Sequence, residues 1–147
     1  MSDMAFDLML DALSQHPENA LWLADENAMR ADVLPILPTL KVVTNRFDLF
    51  ESLQAKKADV TFSDFDLTGI ADDSLNAVYL RVPKEKAIVH HLINEAGRIL
   101  KEGGKLHICG HKQEGTKTYI DKAKKYLFGD VETDKNGQNY YAIIEKD

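Results

Sequence analysis

Three residues that can bind a metal ion alternate along one apolar run near the end of the chain. They are His107, Cys109 and His111. In a strand the side chains of alternate residues lie on one face, so the three could share a metal ion. A central strand of an α/β sheet is buried on both faces, however, and small structural residues are expected there. We therefore predict no metal site.

Positive charge is concentrated in the second half of the chain. Residues 82–128 carry 10 Lys and Arg against 5 Asp and Glu, whereas residues 1–81 carry 6 against 14. A basic face can bind nucleic acid or an acidic partner. The alternative is a solvated lysine-rich surface, because the formal net charge of the whole chain is −6.

The centre of the chain predicts a strand, a helix and a second strand. Residues 75–82 are an apolar run of β-forming residues that ends at a proline. From residue 84 to 101 apolar residues recur at spacings of three and four, and the Gly103-Gly104 pair ends this helix. Residues 105–109 resume as a strand. Such a unit has parallel strands and a right-handed crossover.

The same patterns assign the other elements. The first helix is predicted to cover the core or to contribute to a partner surface, and the third to turn Phe47, Phe50 and Leu53 inward. The acidic residues 63–73 are predicted to form a loop with Gly69 as its turn residue. The other predicted helices are residues 3–14, 28–37, 47–56 and 116–128, the last ended by Gly129, and the other predicted strands are residues 20–24, 40–44, 59–62, 130–133 and 138–145.

Asn136-Gly137 indicates a hairpin between the last two strands, which makes them antiparallel. The sequence therefore predicts an α/β fold with a doubly wound, mostly parallel seven-stranded sheet and an antiparallel C-terminal hairpin. With 147 residues we expect one domain, residues 1–147, in which residues 1–19 are a helical extension. No apolar run could span a bilayer, and the single cysteine fits a reducing compartment, so we expect a soluble cytoplasmic protein.

This layout resembles the class I S-adenosylmethionine-dependent methyltransferase fold. Active members carry a glycine-rich loop after the first strand, an acidic residue that closes the second strand and binds the cofactor ribose, and an Asn/Asp-Pro-Pro-aromatic motif after the fourth. Here the three places hold Ala24-Asp25-Glu26, Thr44-Asn45-Arg46 and Leu80-Arg81-Val82-Pro83-Lys84. The resemblance therefore implies that this chain has no catalytic residue and binds no cofactor. If it is active after all, Asp25, Glu26 and Asn45 are the candidate cofactor contacts.

From about Ala20 onward the chain is similar to the non-catalytic N-terminal domain of the two-domain ribosomal RNA guanine-N2 methyltransferases. That family has a Tyr-x-x-Pro-Lys-x-Lys type segment after the fourth strand, which Tyr79 to Lys86 roughly matches. The family's catalytic half would begin after Asp147. The resemblance implies a supporting domain whose partners are a catalytic methyltransferase domain, which binds S-adenosylmethionine, and ribosomal RNA; it implies no membrane partner, and a second copy is a further candidate.

The resemblance also assigns the RNA contacts. Lys84, Lys86, Lys112 and Lys117 follow the fourth and fifth strands, at the edge where α/β folds place ligand sites. Their expected role is phosphate contact, which positions RNA without reading its sequence. The alternative for each one is a solvated loop lysine.

Two other functions stay open, and a third pattern, that of receiver domains, fails. The first is a stand-alone protein-interaction module that uses the N-terminal helix and the acidic first half. The second is a working methyltransferase with an unusual cofactor loop. The third is suggested by Asp64 and Asp66, which follow the third strand as the Mg²⁺-binding carboxylates of receiver domains do. It requires a helix before the fourth strand, for which the sequence leaves no room.

Overall fold

The computed structural model describes residues 4–15, 17–24, 40–55, 59–83 and 85–147. The helix predicted at residues 28–37 lies outside them. The described helices are α1 (Met4–Ser14), α2 (Phe47–Ala55), α3 (Lys86–Ile99) and α4 (Thr116–Leu127), with a 3₁₀ turn at Lys112–Glu114, and the strands are β1 (Ala20–Ala24), β2 (Lys41–Thr44), β3 (Asp59–Phe62), β4 (Leu75–Arg81), β5 (Leu100–His111), β6 (Phe128–Asn136) and β7 (Asn139–Lys146).

The seven strands form one sheet in the order β3-β2-β1-β4-β5-β7-β6. The pairs from β3 to β5 are parallel, and β7 is antiparallel to both of its neighbours. The predicted doubly wound sheet with one reversed strand is confirmed. Strands β2, β1, β4 and β5 are neighbours and run parallel, so their carboxyl ends lie along the same side of the sheet. We call this side the carboxyl edge.

Helices cover both faces of the sheet. Helices α1 and α2 pack on one face of the sheet and α3 and α4 on the other. Each pair of helices covers one apolar cluster. In α1 the side chains of Phe6, Met9 and Leu13 are fully buried, and the Phe6 ring stacks on Trp22 with centroids 5.8 Å apart. The apolar face of α1 therefore covers the core, which was the first of its two predicted roles. Among the described helices, none is long and apolar enough to cross a bilayer.

The crossover from α3 to β5 differs from its prediction. Helix α3 ends at Ile99 and the strand begins at once, so Gly103 and Gly104 lie inside β5 rather than ending the helix. Gly103 has φ +82°, and a Cβ on Gly104 would lie 3.0 Å from the carbonyl oxygen of Leu75. The pairing of β4 with β5 shifts register at this point. The two glycines therefore permit an irregular, tightly packed entry into a central strand.

The predicted inward face of α2 is wrong at Phe47, whose side chain is 56% exposed. Leu49 and Leu53 are the buried residues of this helix. Phe47 packs instead against two other aromatic rings, Phe50 and Phe62, with centroids 6.1 and 5.5 Å away. Sequence spacing did not distinguish this satellite aromatic cluster at the outer strand β3 from a core face.

Two predicted ends at the C-terminal hairpin also change. Helix α4 is ended by Phe128, which adopts the left-handed conformation with φ +65°, and not by Gly129. A Cβ on Gly129 would lie 2.2 Å from the carbonyl oxygen of Glu145, so close packing on β7 requires this glycine. Asn136 pairs with Asn139, so Gly137 and Gln138 form a two-residue turn, with Gly137 at φ +62°.

The acidic connection from β3 to β4 is a loop, as predicted, and α3 holds it. The Arg98 guanidinium donates to the carbonyl oxygens of Leu67 (2.8 Å) and Ile70 (2.7 Å) and to Asp72 Oδ1 (2.8 Å). It also donates to Glu95 Oε2 at 2.6 Å. Phe65 and Leu67 on this loop are almost fully buried. One arginine thus satisfies the backbone of a loop whose apolar side chains enter the core.

His107 lies in an aromatic stack on the α1 face of the sheet. Its ring stacks on Tyr79 with centroids 4.3 Å apart and on Tyr141 at 5.9 Å. His107 Nδ1 lies 2.7 Å from the Tyr141 hydroxyl, and the Tyr79 hydroxyl donates to the carbonyl oxygen of Ala12 on α1. Burial, assisted by the Lys105 charge, lowers the pKa of His107 to about 4, and burial raises the pKa of Tyr79 to about 12. The stack is therefore uncharged at neutral pH.

The first prediction concerns pH. Because the folded-state pKa of His107 is about 4 and the unfolded value is about 6.5, the unfolded chain binds more protons between these values. The contribution of His107 to stability is complete above pH 6.5 and falls by about 3 kcal/mol as the pH drops to 4. His107→Phe removes this titration, so urea unfolding should show a shallower acid loss in the variant. Parallel pH curves for the two proteins would contradict the assignment.

The second prediction concerns the loop clamp. Arg98→Met leaves four carbonyl or carboxylate acceptors without their donor, so we expect a loss of about 2–4 kcal/mol in unfolding free energy. Amide exchange in residues 63–73 should accelerate. The matched control is Arg46→Met, which breaks an exposed ion pair with Asp48 and should cost less than about 1 kcal/mol. Equal losses in the two variants would show that the clamp has no special role.

Candidate nucleic-acid interface

The carboxyl edge beyond β4 and β5 is where both long helices begin. Arg81 pairs with Cys109 in the last register step of these strands. Helix α3 starts at Lys86 and α4 at Thr116, so both amino termini lie at this edge. Neither helix has an acidic residue in its first turn or a side-chain cap hydrogen bond in the described structure. The helix dipoles therefore contribute positive potential here.

A partly buried ion pair fills the space between these two connections. Arg81, only 7% exposed, donates through Nη1 to Glu114 Oε1 at 2.7 Å and to the carbonyl oxygen of Val82 at 3.0 Å. The same Glu114 oxygen accepts the backbone N–H of His111 at 2.7 Å. An arginine at the end of a buried strand requires such an acceptor, because an unpaired buried charge is costly. The pair therefore joins the β4 end to the 3₁₀ turn after β5.

The 3₁₀ turn is fixed on both sides. The His111 ring accepts the N–H of Gln113, which completes a capping box with Glu114. The N–H of Lys112 donates to the carbonyl oxygen of Gln138 on the hairpin at 2.7 Å. A Cβ on Gly110 would lie 2.3 Å from Thr116 Oγ1, so β5 and α4 meet without space for a side chain. His111 thus has a structural role.

A shallow depression lies at this edge, and one of the predicted lysines lines it. Its volume is about 360 Å³, and its lining consists of Pro83, Lys86, Gln113, Glu114 and Gly115. The side chains of Lys86, Lys112 and Lys117 are exposed. Lys86 lines the depression directly, and the other two flank its 113–115 wall in the sequence. Lys84 lies outside the described residues.

The carboxyl end of β2 carries buried polar side-chain atoms and a hydrogen bond to the loop after β3. Thr44 Oγ1 accepts the N–H of Arg46, and the Thr44 carbonyl oxygen accepts the N–H of Ser63. Among the described residues, Asn45 Oδ1 and Ser63 Oγ are buried atoms without a hydrogen-bond partner. The Arg46 guanidinium holds the pKa of the Asp48 carboxyl below its usual value. Asn45 therefore offers one unused acceptor.

The structure also bears on the residues that the sequence suggested for cofactor and metal binding. Asp25 and Glu26, the other candidate cofactor contacts, lie outside the described residues. Asp66 accepts the N–H and hydroxyl of Thr68, which lowers the pKa of its carboxyl. Within the described ranges, no three His, Cys, Asp or Glu side chains converge to hold a metal ion. His107 Nδ1 lies within hydrogen-bond distance of the Tyr141 hydroxyl, the His111 ring accepts the N–H of Gln113, and Cys109 is buried.

The sequence did not predict the role of Glu114. It lies three residues after His111, at capping-box spacing, and it is the first carboxylate after β5. A buried arginine at the end of the neighbouring strand requires a carboxylate within reach. These two signals together could have identified the pair.

The family is shown by comparison. Residues 12–143 match the family described as methyltransferase small domain N-terminal. Ribosomal RNA small subunit methyltransferase C of Shewanella loihica is 36% identical over 61 residues, which are 42% of this chain and 18% of that protein.

Solved structures show the same fold. A T. thermophilus 16S rRNA N2 G1207 methyltransferase, solved in complex with AdoMet and guanosine, superposes with a TM-score of 0.76 at 23% identity, covering 99% of this chain and 39% of that one. A putative methyltransferase from Pseudomonas syringae gives a TM-score of 0.70 at 15% identity, covering 97% and 96%. The chain thus spans well under half of the first two relatives. With its α/β fold of methyltransferase topology, it belongs to the methyltransferase small domain N-terminal family.

Proposed function

We propose that this chain is the supporting, non-catalytic domain of a ribosomal RNA guanine-N2 methyltransferase. Methyl transfer from S-adenosylmethionine to a guanine amine takes place in a separate catalytic domain. The match to the family and the likeness to two small-subunit rRNA methyltransferases support this proposal. In it, the role of the present domain is to support the catalytic domain and to hold structured RNA.

The observation that carries the proposal is the ion pair at the end of β4. A methyl-transfer site needs groups at this edge that orient the target amine and accept hydrogen bonds from it. Here Arg81 and Glu114 satisfy each other at 2.7 Å, and Glu114 also holds the N–H of His111. Arg81 Nη1 and Glu114 Oε1 are committed to the fold, so these two atoms offer little to a substrate.

The described residues also fit S-adenosylmethionine poorly. The cofactor ribose presents two hydroxyl donors, which a carboxylate accepts together. At the end of β2 the side chain is Asn45, whose amide offers one acceptor oxygen and a nitrogen that can only donate. Asp48 nearby accepts from Arg46 instead. This chemistry favours a domain that leaves cofactor binding to its partner.

RNA contact is assigned to the lysines of the carboxyl edge. Lys86, Lys112 and Lys117 are exposed around two uncapped helix starts. Positive side chains beside helix amino termini suit phosphate. Lys84 belongs to the same segment of the sequence and completes the proposed set.

The protein-interaction alternative has one specific observation in its favour. The apolar face of α1 is buried, so that helix does not offer it to a partner. The cluster of Phe47, Phe50 and Phe62 on α2 and β3 lies instead among acidic residues of the first half. Phe62 is 48% exposed. Dimerisation or protein binding through this cluster, without RNA affinity, would favour the alternative.

The third prediction tests RNA binding. We expect this chain to bind a labelled hairpin RNA with an affinity that falls steeply with salt, because each phosphate contact releases counterions. Replacing Lys86, Lys112 and Lys117 together by Gln should reduce the magnitude of the log–log salt slope by about 2–3, since each contact contributes about 0.9. Fluorescence anisotropy between 50 and about 300 mM salt measures both slopes.

The control removes the same charge elsewhere. Lys41 begins β2, and Lys101 and Lys105 lie in the first half of β5, away from the carboxyl edge. Their triple Gln variant should retain most of the wild-type slope. If both triple variants lose the same slope, binding is a non-specific charge effect and the assigned lysines are wrong. No RNA affinity in the wild type would overturn the proposed RNA role.

A further inference from the structure

We propose that the outer surface of α3 and α4 binds single-stranded RNA, with Tyr126 as a stacking surface for one base. This inference rests on the proposed RNA role and assigns it a second, specific surface. Four residues carry it. From the carboxyl edge inward they are Lys86, His90, Lys122 and Tyr126, and we call them the α3–α4 track.

The track starts at the depression and follows both helices away from it. Lys86 lines the depression, and His90 lies one helical turn further along α3 on the same side. The His90 ring packs edge-on against Tyr119 of α4, with centroids 5.5 Å apart. Lys122 and Tyr126 lie one turn apart on α4. The track is therefore continuous with the lysines of the carboxyl edge.

The Lys122 side chain is positioned by an imidazole and an aromatic ring, and not by a carboxylate. Its ammonium donates to His90 Nδ1, and its Nζ lies 5.4 Å from the centroid of the Tyr126 ring. Over the described residues, no ion pair of Lys122 with an acidic side chain is present. Because its position is already fixed by a nitrogen acceptor and a ring face, Lys122 loses less side-chain entropy on meeting a phosphate than a mobile lysine does.

The same contact orients His90. An ammonium can only donate, so Nδ1 must accept and the ring proton is on Nε2. The His90 side chain is exposed, so Nε2–H is a donor available to a phosphate or a base edge. Asn94, exposed one turn further along α3, adds an amide that can donate and accept. This surface therefore combines the Lys122 cation, the Nε2–H of His90 and the amide of Asn94.

Tyr126 provides the aromatic surface. It is 51% exposed, although burial of such a ring is worth about 2 kcal/mol. An exposed ring flanked by lysines is the combination that single-strand nucleic-acid surfaces use, with stacking worth about 1–3 kcal/mol per base. Helix α4 carries four lysines against one aspartate, Asp121. The other carboxylates near the start of the track are Glu85, the residue before α3, and Glu114, which pairs with Arg81. Lysines outnumber these carboxylates, so the net charge of this surface favours a polyanion.

Single-stranded RNA is favoured over a duplex by this geometry. A ring on the outer side of a helix can stack only on a base that is not already stacked on both sides, as bases in loops and ends are. The phosphate contacts would come from Lys86 and Lys122 and the base contact from Tyr126. A duplex would engage the lysines alone.

The fourth prediction is a direct test with a labelled 12-nucleotide single strand and a duplex of the same length. Tyr126→Ala should weaken single-strand binding by about 10-fold, within the range for one stacked base. Tyr126→Phe should retain most of the affinity, and Lys122→Met should weaken it and lower the salt slope by about 0.7. Duplex binding should change little in Tyr126→Ala. Thermal unfolding checks that each variant folds.

Phe62→Ala is the matched control, because Phe62 is a similarly exposed aromatic residue, 48% exposed, on the outer strand β3. This variant should bind single-stranded RNA like the wild type. If Tyr126→Ala and Phe62→Ala behave alike, or if Tyr126→Ala abolishes self-association while RNA binding is unchanged, the proposal is wrong. A wild type that binds RNA with no effect of Tyr126→Ala overturns this inference alone. A wild type that binds no RNA overturns the proposed RNA role as well.

Discussion

The ion pair between Arg81 and Glu114 determines the structure of the carboxyl edge. Arg81 ends a strand that is buried on both faces, and its side chain is only 8% exposed. Leaving it without a carboxylate would cost about 3–5 kcal/mol. Glu114 meets that requirement and also holds the N–H of His111, which places the 3₁₀ turn and, after it, the start of α4. The pair therefore connects the end of β4 to the turn that precedes α4, and Glu114 lines the depression that Lys86 also lines.

The pair also bears on the proposed supporting role. In an α/β sheet the polar groups that serve a ligand lie at the carboxyl ends of the strands. At β4 and β5 of this chain Arg81 and Glu114 bind one another. Lysines outnumber carboxylates around the two helix starts and along the α3–α4 track that leads away from them. The excess of negative charge lies on the first half of the chain, which also carries the aromatic cluster at β3. The proposed RNA contacts and the protein-contact alternative therefore fall on different surfaces.

Much of the fold could be predicted because it depends on local patterns. Apolar runs gave the strands, spacings of three and four gave α1, α3 and α4, and Asn136-Gly137 gave the hairpin. The errors occur where a distant contact decides. Phe47 turns outward because Phe50 and Phe62 form a cluster with it, and β5 starts early because Gly104 packs against Leu75. The candidate lysines could be placed at one edge from topology. The partnership of Arg81 with Glu114, 33 residues apart, was not predicted, because it joins the ends of two strands and only the capping-box spacing from His111 to Glu114 signals it.

The central claim is that this chain supports methylation and does not bind the methyl donor. Calorimetric titration of the purified chain with S-adenosylmethionine, and with its demethylated product, tests that claim most directly. The account predicts no binding heat and no thermal shift with either compound. Micromolar binding would contradict it and would make Asn45, whose Oδ1 has no hydrogen-bond partner within the described part of the chain, a cofactor contact, together with Asp25 and Glu26.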